Sequence, residues 1–391
     1  MSLRDKFPKM STKGIVILIA VIIAGGAFIG IFAWIRANRE YNYGYIVITK
    51  DKDFTKRYNF PGAGTEEDPY RIENLTIEVQ SVYGILISDT SSHFIIHNCT
   101  VSGNAGIYIR NIKANTAIIT QNTITVLPES YGIGLESAPG TVISQNNLIG
   151  EANKSMIGIN VFSSKNCLIE LNTLTSLSHA IEVWGVSDNI NVYDNICLNS
   201  SIGIFIDARD WYSYPGGFHQ GSIENIQLMN NTCLNNNFGI FLLGAVSLAN
   251  LEINDCSYNK IAGIEIGGCS EIYVKANFFY NNTQALILYD ALKITVSQNL
   301  FRNGASYAIN ATFTSDSVIY HNNFYNNNLN GQTSNQSQAY DDSLVASNDA
   351  RNYWYNAIIS EGNYWDDWGG VGTYPIDGGD HVDQFPLGTP H

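Results

Sequence analysis

The chain has 391 residues, with 35 acidic and 21 basic side chains and a formal net charge of −14. Six basic residues and one acidic residue lie within residues 1–39, so the remainder carries a formal charge of −19 and contains no basic patch. A surface of this sign repels nucleic acid, which excludes a nucleic-acid-binding function.

The first 39 residues predict a single-pass membrane anchor. Residues 1–13 form a basic tail, and residues 14–35 contain no charged side chain. A helix of that length spans about 33 Å, enough to cross a bilayer. More basic residues precede the span than closely follow it, so we expect a cytoplasmic N-terminus and an extracellular remainder. A cleavable signal peptide is the alternative, although the apolar run is long and no A-x-A site follows.

Residues 40–72 are polar and aromatic and lack the repeat that begins after them. A repeat protein needs its first unit covered, because an open end would expose a sheet edge and the apolar interior. We therefore predict that residues 40–72 form an N-terminal cap.

Residues 73–337 repeat a short phrase: alternating apolar residues, an asparagine, and one or two further apolar positions. A small residue and an aliphatic one, as in Gly106-Ile107, usually follow the asparagine by about eight to ten residues. Alternation with a period of two indicates strands, and repeats of this length indicate stacked units that share one core. The pattern predicts an all-β, single-stranded parallel β-helix of about eleven turns, stacked about 4.8 Å apart.

The recurring asparagine predicts a ladder of stacked amides at one corner of the coil. Asparagine tolerates the left-handed conformation that a corner requires, and its amide can bond to its counterpart on the next turn. Asp255 occupies the marker position in one repeat, so we expect a weaker rung there. The predicted ladder comprises Asn74, Asn98, Asn122, Asn146, Asn172, Asn195, Asn231, Asn277, Asn299 and Asn322.

One interval between asparagines is 36 residues long and holds an insertion at residues 207–220. Aromatic side chains beside charged groups suit a sugar, because a ring covers its apolar face and charged groups bind its hydroxyls. The alternative is a loop that folds its own aromatics onto the solenoid. The candidate ligand-binding residues here and on the adjoining strands are Trp184, Phe205, Arg209, Trp211, Tyr212, Tyr214 and His219.

Strand alternation also brings carboxylates together. Positions two and four residues after the small residue should face outward, which exposes Glu182 on one turn and Phe205 and Asp207 on the next. Glu182 and Asp207 would lie about 8 Å apart, within the range of an inverting glycosidase pair. Arg209 could hold the carboxylate of a lyase substrate, and simple solvation of the acidic groups is the alternative. The candidate catalytic residues are Glu182, Asp207 and Asp210.

The sequence predicts no metal site. Its histidines are dispersed, and its six cysteines lack C-x-x-C spacing. Cys197 and Cys233 each stand two residues after their asparagine, so we expect stacked neighbours within reach of a bridge. Parallel side chains on neighbouring turns are poorly placed for the required torsion, so free thiols are the alternative.

Both ends of the repeat carry further motifs: Phe60-Pro61-Gly62-Ala63-Gly64-Thr65 with Pro69-Tyr70-Arg71-Ile72, then Gln338-Ala339-Tyr340-Asp341, Asn352-Tyr353-Trp354 and Gly362-Asn363-Tyr364-Trp365-Asp366-Asp367. These motifs resemble the opening and closing segments of parallel β-helix repeat proteins of the NosD-like and carbohydrate-binding, sugar-hydrolase group. The resemblance covers about residues 60–391. It implies a right-handed coil, in keeping with the handedness of parallel crossovers, and a C-terminal cap at residues 338–391.

The resemblance also raises the question of metals. Many relatives follow the closing motif with an Asp/Gly-rich run of the kind that binds calcium, but here residues 368–375 are a shortened version. The NosD name implies copper, and the side chains offer no His/Cys/Met cluster for it. The sequence therefore predicts no cofactor, with calcium as an alternative that lacks a complete motif.

Taken together, these features predict a membrane-anchored extracellular β-helix. The leading hypothesis is that it binds surface or extracellular polysaccharide, centred on residues 207–220. One alternative is a glycoside hydrolase or polysaccharide lyase, and another is a structural or adhesive surface protein with protein partners. A solenoid supports many functions, so the fold does not choose among them.

Overall fold

The structure is a computed structural model that describes residues 44–79, 83–151, 154–209, 221–328, 337–343 and 351–391. The predicted basic tail at 1–13 and membrane helix at 14–35 lie outside these ranges. Within the described ranges, no helix combines the length and the apolar character needed to span a bilayer.

The described residues form a right-handed parallel β-solenoid of about ten turns. Each turn contributes strands to three faces. Face 1 is an 11-stranded parallel sheet, and its eleven strands are joined by ten steps. The strands of face 1 are β2 (Tyr70–Glu73), β5 (Phe94–His97), β7 (Ala117–Thr120), β9 (Val142–Ser144), β12 (Leu168–Glu170), β15 (Asn191–Tyr193), β18 (Ser222–Met229), β21 (Ala245–Glu252), β23 (Ser270–Lys275), β26 (Thr295–Ser297) and β29 (Val318–Tyr320).

Faces 2 and 3 are connected through two long strands, β6 (Thr100–Arg110) and β8 (Thr123–Glu136), whose first halves belong to face 2 and second halves to face 3. The other strands of face 2 are β3 (Thr76–Glu78), β10 (Asn147–Ile149), β13 (Thr173–Thr175), β16 (Ile196–Leu198), β19 (Thr232–Leu234), β24 (Phe278–Tyr280), β27 (Leu300–Arg302), β30 (Asn323–Tyr325) and β32 (Tyr364–Trp365).

Face 3 begins with the most N-terminal described strand and carries the candidate site. Besides the second halves of β6 and β8, its strands are β1 (Ile46–Ile48), β4 (Tyr83–Ser88), β11 (Met156–Phe162), β14 (His179–Trp184), β17 (Ile202–Asp207), β20 (Phe238–Leu243), β22 (Ala262–Gly267), β25 (Gln284–Tyr289), β28 (Ile309–Thr312) and β31 (Ala339–Asp341). Outside the three faces are helix α1 (Asp53–Lys56) and an antiparallel pair, β33 (Tyr374–Pro375) and β34 (Val382–Asp383).

Inward-facing aliphatic residues stack in columns along the axis. On face 3, Ile85, Ile107, Ile133, Ile159 and Ile181 are in register and fully buried. Each such burial contributes about 1.5–3 kcal/mol. No single turn could bury its own column, so stacking is what makes the repeats fold.

The predicted asparagine ladder is present through most of the coil. Asn122 donates from Nδ2 to Oδ1 of Asn146 at 2.9 Å, and Asn146 donates to Oδ1 of Asn172 at 3.0 Å. The same bond then runs from Asn172 through Asn195 to Asn231, and from Asn277 through Asn299 to Asn322. Because these amides are buried and each is also bonded to backbone, the ladder satisfies its own polar groups.

Three ladder assignments were wrong. Asn254, rather than Asp255, bonds to Asn231 and Asn277, so the rung predicted to be weak is complete. Asn74 and Asn98 lie one position earlier, on the exposed corner, where Asn98 donates to Asn74 at 2.8 Å. The matching buried positions in those two turns are held by Leu75 and Cys99 instead.

The backbone conformation of the corner also differs from the prediction. The left-handed residue is the one before each buried asparagine, with φ of 56° at Gln121, 56° at Leu171 and 58° at Ile253. Left-handed conformation costs a residue with a side chain roughly 1–2 kcal/mol. The hydrogen bonds of the ladder offset that cost, so even leucine and isoleucine adopt it.

A second corner carries a ladder that the sequence reading missed. Oδ1 of Asn236 accepts from the backbone of Ser200, Asn259 accepts from Asn236, and Asn282 accepts from Asn259, at 2.7–3.0 Å. Further along, Asn327 accepts from Gly304. Two ladders at different corners fix each of these turns against sliding.

Aromatic side chains fill the C-terminal end of the interior. Phe279, Phe301, Phe324, Trp365 and Tyr374 form a stacked column with ring centroids 4.0–4.9 Å apart. The indole N–H groups are satisfied by buried carboxylates: Trp365 donates to Asp383 at 3.0 Å, and Trp354 to Asp341 at 2.9 Å. These aromatics are core residues, although the predicted domain boundaries stay a prediction.

The N-terminal end is covered by α1, whose Phe54 is fully buried and stacks on Tyr70. The six cysteines are free and buried, and Cys197 and Cys233 are register neighbours, as expected from their spacing.

Candidate functional site

Face 3 presents outward side chains in columns that run parallel to the axis. One column contains Glu182 beside Asn160 and Phe205, and the next contains Trp184 beside Phe162 and Asp207. Glu182 and Asp207 are therefore one turn and two positions apart, as predicted. The rigid strands of a sheet set these positions, so the groups are held in place before any ligand arrives.

Glu182 belongs to a set of side chains that is linked by hydrogen bonds through Asn160 and by a close contact with His179. Nδ2 of Asn160 donates to Oε2 of Glu182 at 3.2 Å, and Oδ1 of Asn160 accepts from Nε1 of Trp184 at 3.1 Å. Nδ1 of His179 lies 3.3 Å from Oε1 of Glu182. Asn160, Phe162, His179, Glu182 and Trp184 are hereafter called the Glu182 group.

Two rings give the Glu182 group an apolar side. Phe162 and Trp184 are on neighbouring turns with centroids 4.2 Å apart, and both are partly exposed. His179 packs edge-on against Phe205 at 5.1 Å. The group thus combines a partly exposed aromatic surface with an oriented carboxylate.

The predicted exposure of Phe205 and Asp207 was wrong. Phe205 is 7% exposed and packs against Phe241, and Asp207 is 3% exposed. Nε and Nη2 of Arg209 donate to the two oxygens of Asp207 at 2.9 and 2.8 Å. Alternation correctly predicts that both side chains point away from the lumen, but packing over the outer surface then covers them.

Several predicted site residues lie outside the described residues. These are Asp210, Trp211, Tyr212, Tyr214 and His219. Their catalytic and ligand-binding roles stay predictions.

The sequence reading missed a second set of aromatics on face 3. Tyr83, Tyr108 and Tyr131 lie on three consecutive turns, with successive ring centroids 5.1 and 6.0 Å apart. These residues are hereafter called the tyrosine group. The hydroxyl of Tyr108 donates to Oε2 of Glu136 at 2.5 Å. Burial and this hydrogen bond raise the pKa of Tyr108, so its hydroxyl stays protonated as a donor.

A polar depression adjoins the tyrosine group. It has a volume of about 310 Å³ and is lined by Asp89, Arg110, Asn111, Glu136 and Ser137. Hydrogen bonding from Asn111, with a contribution from the charge of Arg110, lowers the pKa of Asp89. The signal in the sequence for this set was the recurrence of one tyrosine in each of three successive repeats. Which of these rings touch depends on the register between turns.

The comparisons with known proteins identify the family. Residues 46–216 and 210–370 match the family described as periplasmic copper-binding protein (NosD). The chain belongs to the NosD family. No curated protein matches the sequence.

This NosD-family chain is similar to several solved structures at low sequence identity. A double mutant of the periplasmic alginate epimerase AlgG is 14% identical, with a TM-score of 0.50 over 71% of this chain and 67% of that one. The A-module of the Azotobacter vinelandii mannuronan C-5 epimerase AlgE4 is 12% identical, with a TM-score of 0.41 over 66% and 84%. The Thermotoga maritima exopolygalacturonase is 12% identical, with a TM-score of 0.35 over 68% and 70%.

The copper in the family description does not fit the described side chains. Within the described ranges, no group of three or more His, Cys, Asp or Glu side chains is arranged to hold a metal ion. The pair of His179 and Glu182 provides one nitrogen and one carboxylate, whose second oxygen is already bonded to Asn160. The described residues therefore do not support a reaction that uses copper.

Proposed function

We propose that the outer surface of face 3 binds extracellular polysaccharide and that the Glu182 group is its centre. The observation that carries this proposal is the oriented carboxylate of Glu182 beside the partly exposed rings of Phe162 and Trp184. A sugar ring has an apolar face and a rim of hydroxyls. The two aromatic rings suit the apolar face, and the carboxylate accepts hydrogen bonds from the hydroxyls.

The hydrogen-bond network supports binding by a pre-organised surface. Asn160 holds both Trp184 and Glu182, so neither side chain must be immobilised when a ligand arrives. Less conformational entropy is then lost on binding. A protein-binding surface would instead need a larger apolar area than these partly exposed rings provide.

Binding accounts for Asp207 better than catalysis does. A general acid or base needs an accessible oxygen to exchange a proton. Both oxygens of Asp207 accept hydrogen bonds from Arg209, and its side chain is buried. In the proposed function Asp207 fixes Arg209 at the margin of the site.

We also infer that the solenoid lies outside the cytoplasm. The description of the NosD family is periplasmic, and the apolar stretch at residues 14–35 supports a membrane anchor that leaves the β-helix extracytoplasmic. Polysaccharide is abundant in that location, and the acidic surface keeps such a protein soluble.

A glycan array followed by calorimetric titration of the full-length protein tests the proposal. Trp184→Ala and Glu182→Gln should each weaken the binding of an array hit about tenfold, or about 1.4 kcal/mol. Tyr273→Ala is the matched control, because Tyr273 is 49% exposed on face 1. An array without hits, or hits that both variants retain in full, would reject the proposed function.

A further inference from the structure

The aromatic side chains of face 3 form a longer series than the Glu182 group alone. One outward ring lies on each of five consecutive turns: Tyr83, Tyr108, Tyr131, Phe162 and Trp184. Four steps of about 4.8 Å separate the first of these turns from the last, about 19 Å along the axis, and the rings lie in three neighbouring outward columns. A single sugar ring covers only a part of that length.

The two groups adjoin each other through register. Glu136 lies beside Phe162 on the next turn, and Phe162 lies beside Trp184. Glu136 also lines the depression next to the tyrosine group and accepts from Tyr108. The tyrosine group, the depression and the Glu182 group therefore form one continuous surface along the axis.

The charges of this surface bear on the kind of glycan it takes. Carboxylates of Asp89, Glu136 and Glu182 face it, against the single guanidinium of Arg110. Asp207 and Arg209 balance each other in their ion pair. The described groups therefore carry a net negative charge, which repels a polymer that has a carboxylate on every sugar.

We propose that the tyrosine group and the adjoining depression form a second sugar subsite, so that one long, uncharged polysaccharide lies lengthwise on face 3. This inference rests on the proposed function, because it assigns the other part of the same chain to the Glu182 group. Arg110 and Asn111 donate to sugar hydroxyls in the depression, and Asp89 and Glu136 accept from them. The exposed ring of Tyr83 marks the end of the aromatic series nearest the N-terminal strand.

Titration of the full-length protein with oligosaccharides of increasing length tests this proposal. Uncharged glucan and mannan series, from disaccharide to octasaccharide, are compared with alginate and polygalacturonate oligomers of matched length. We expect affinity for an uncharged series to rise at least about tenfold from disaccharide to hexasaccharide, and uronate oligomers to bind at least about tenfold more weakly.

Variants separate this inference from the proposed function. Tyr108→Ala and the more exposed Tyr83→Ala should remove the gain with length but leave disaccharide affinity unchanged, with folding checked by circular dichroism. Trp184→Ala should weaken every length. If Trp184→Ala weakens binding while both tyrosine variants keep the length dependence, the second subsite is wrong. If uronate oligomers bind as well as uncharged chains, the substrate class is wrong. In both cases the proposed function stands. If Trp184→Ala changes nothing, the proposed function fails.

Discussion

Nδ2 of Asn231 donates to Oδ1 of Asn254 at 3.0 Å, and Asn254 in turn donates to Asn277 at 3.0 Å. This relationship keeps the amide ladder unbroken through a turn in which an adjacent aspartate could have interrupted it. Asp255 instead accepts from the hydroxyl of Ser257 at 2.5 Å. The ladder is thus a continuous buried chain from Asn122 to Asn363.

The ladder predicts a large difference between two neighbouring substitutions. Asn254→Ala should lower the free energy of unfolding by about 3 kcal/mol, because it removes the buried hydrogen bonds that its side chain accepts from Asn231 and donates to Asn277 and Leu228. Asp255→Asn should change it by less than about 0.5 kcal/mol, since an amide oxygen still accepts from Ser257. Urea unfolding followed by circular dichroism measures both. Equal losses in the two variants would contradict this assignment of the ladder.

The aromatic column predicts a similar contrast in the C-terminal half. Phe301 is fully buried between Phe279 and Phe324, with centroids 4.9 and 4.8 Å away. Phe301→Ala should cost about 3–5 kcal/mol, because it removes a large buried ring and leaves a cavity. Phe278→Ala is the control, as Phe278 is 48% exposed. A thermal melt should show a drop for the first variant and little change for the second; comparable drops would refute the interior column.

The N-terminal end of the solenoid should be less stable in acid because of Asp51. Burial alone would raise the pKa of Asp51, but hydrogen bonds from Thr90, Ser91 and Ser92 lower it to about 2. An unfolded aspartate has a pKa of about 3.9. The stabilisation is therefore complete above pH ~4 and is lost as pH falls to about 2. Because Asp51 is exposed to solvent, its contribution is reduced to about 1 kcal/mol.

Asp51→Asn should therefore lower the melting temperature at neutral pH and lose that difference near pH 2. The exposed Glu66, changed to Gln, serves as the control for removing one acidic charge nearby. Melting curves of the three proteins across this pH range measure the effect. A difference between wild type and Asp51→Asn that persists undiminished at pH 2 would show that ionisation of Asp51 is not its source.

The two carboxylates of the predicted catalytic pair should differ in their effect on glycan binding. Glu182 is partly exposed within the Glu182 group, whereas Asp207 is buried and held by Arg209. Glu182→Gln should weaken binding about tenfold, and Asp207→Asn less than about threefold. Calorimetric titration measures both. A larger effect of Asp207→Asn would show that Asp207, rather than Glu182, is the main binding carboxylate.

Sequence reasoning located the coil and its faces because both depend on local pattern. Alternation with period two predicts which side chains point inward, and the regular spacing brings equivalent positions into register. The outward direction of Glu182 and Trp184 followed from this alone. Sequence reasoning failed to place the ladder where two adjacent residues both suited the position, as with Asn254 and Asp255. Only the hydrogen bonds to neighbouring turns select one of the two.

The tyrosine group shows the same limit at the candidate site. Tyr83 and Tyr131 each follow their marker asparagine by nine residues, whereas Tyr108 follows Asn98 by ten. Their contacts arise because two of them lie in one outward column and the third in the next. Loop lengths between strands vary from turn to turn, so the sequence does not reveal which side chains on different turns will meet.

The sequence by itself determined a parallel β-helix with an apolar lumen, since the pattern of side chains repeats and each turn must cover its neighbour. Only the tertiary structure decided which amide occupies each rung, that Phe205 and Asp207 are covered, and that one outward aromatic ring lies on each of five consecutive turns of face 3. The physical reason is that direction is a local property of a strand, whereas burial and contact on its outer side depend on residues more than twenty positions away.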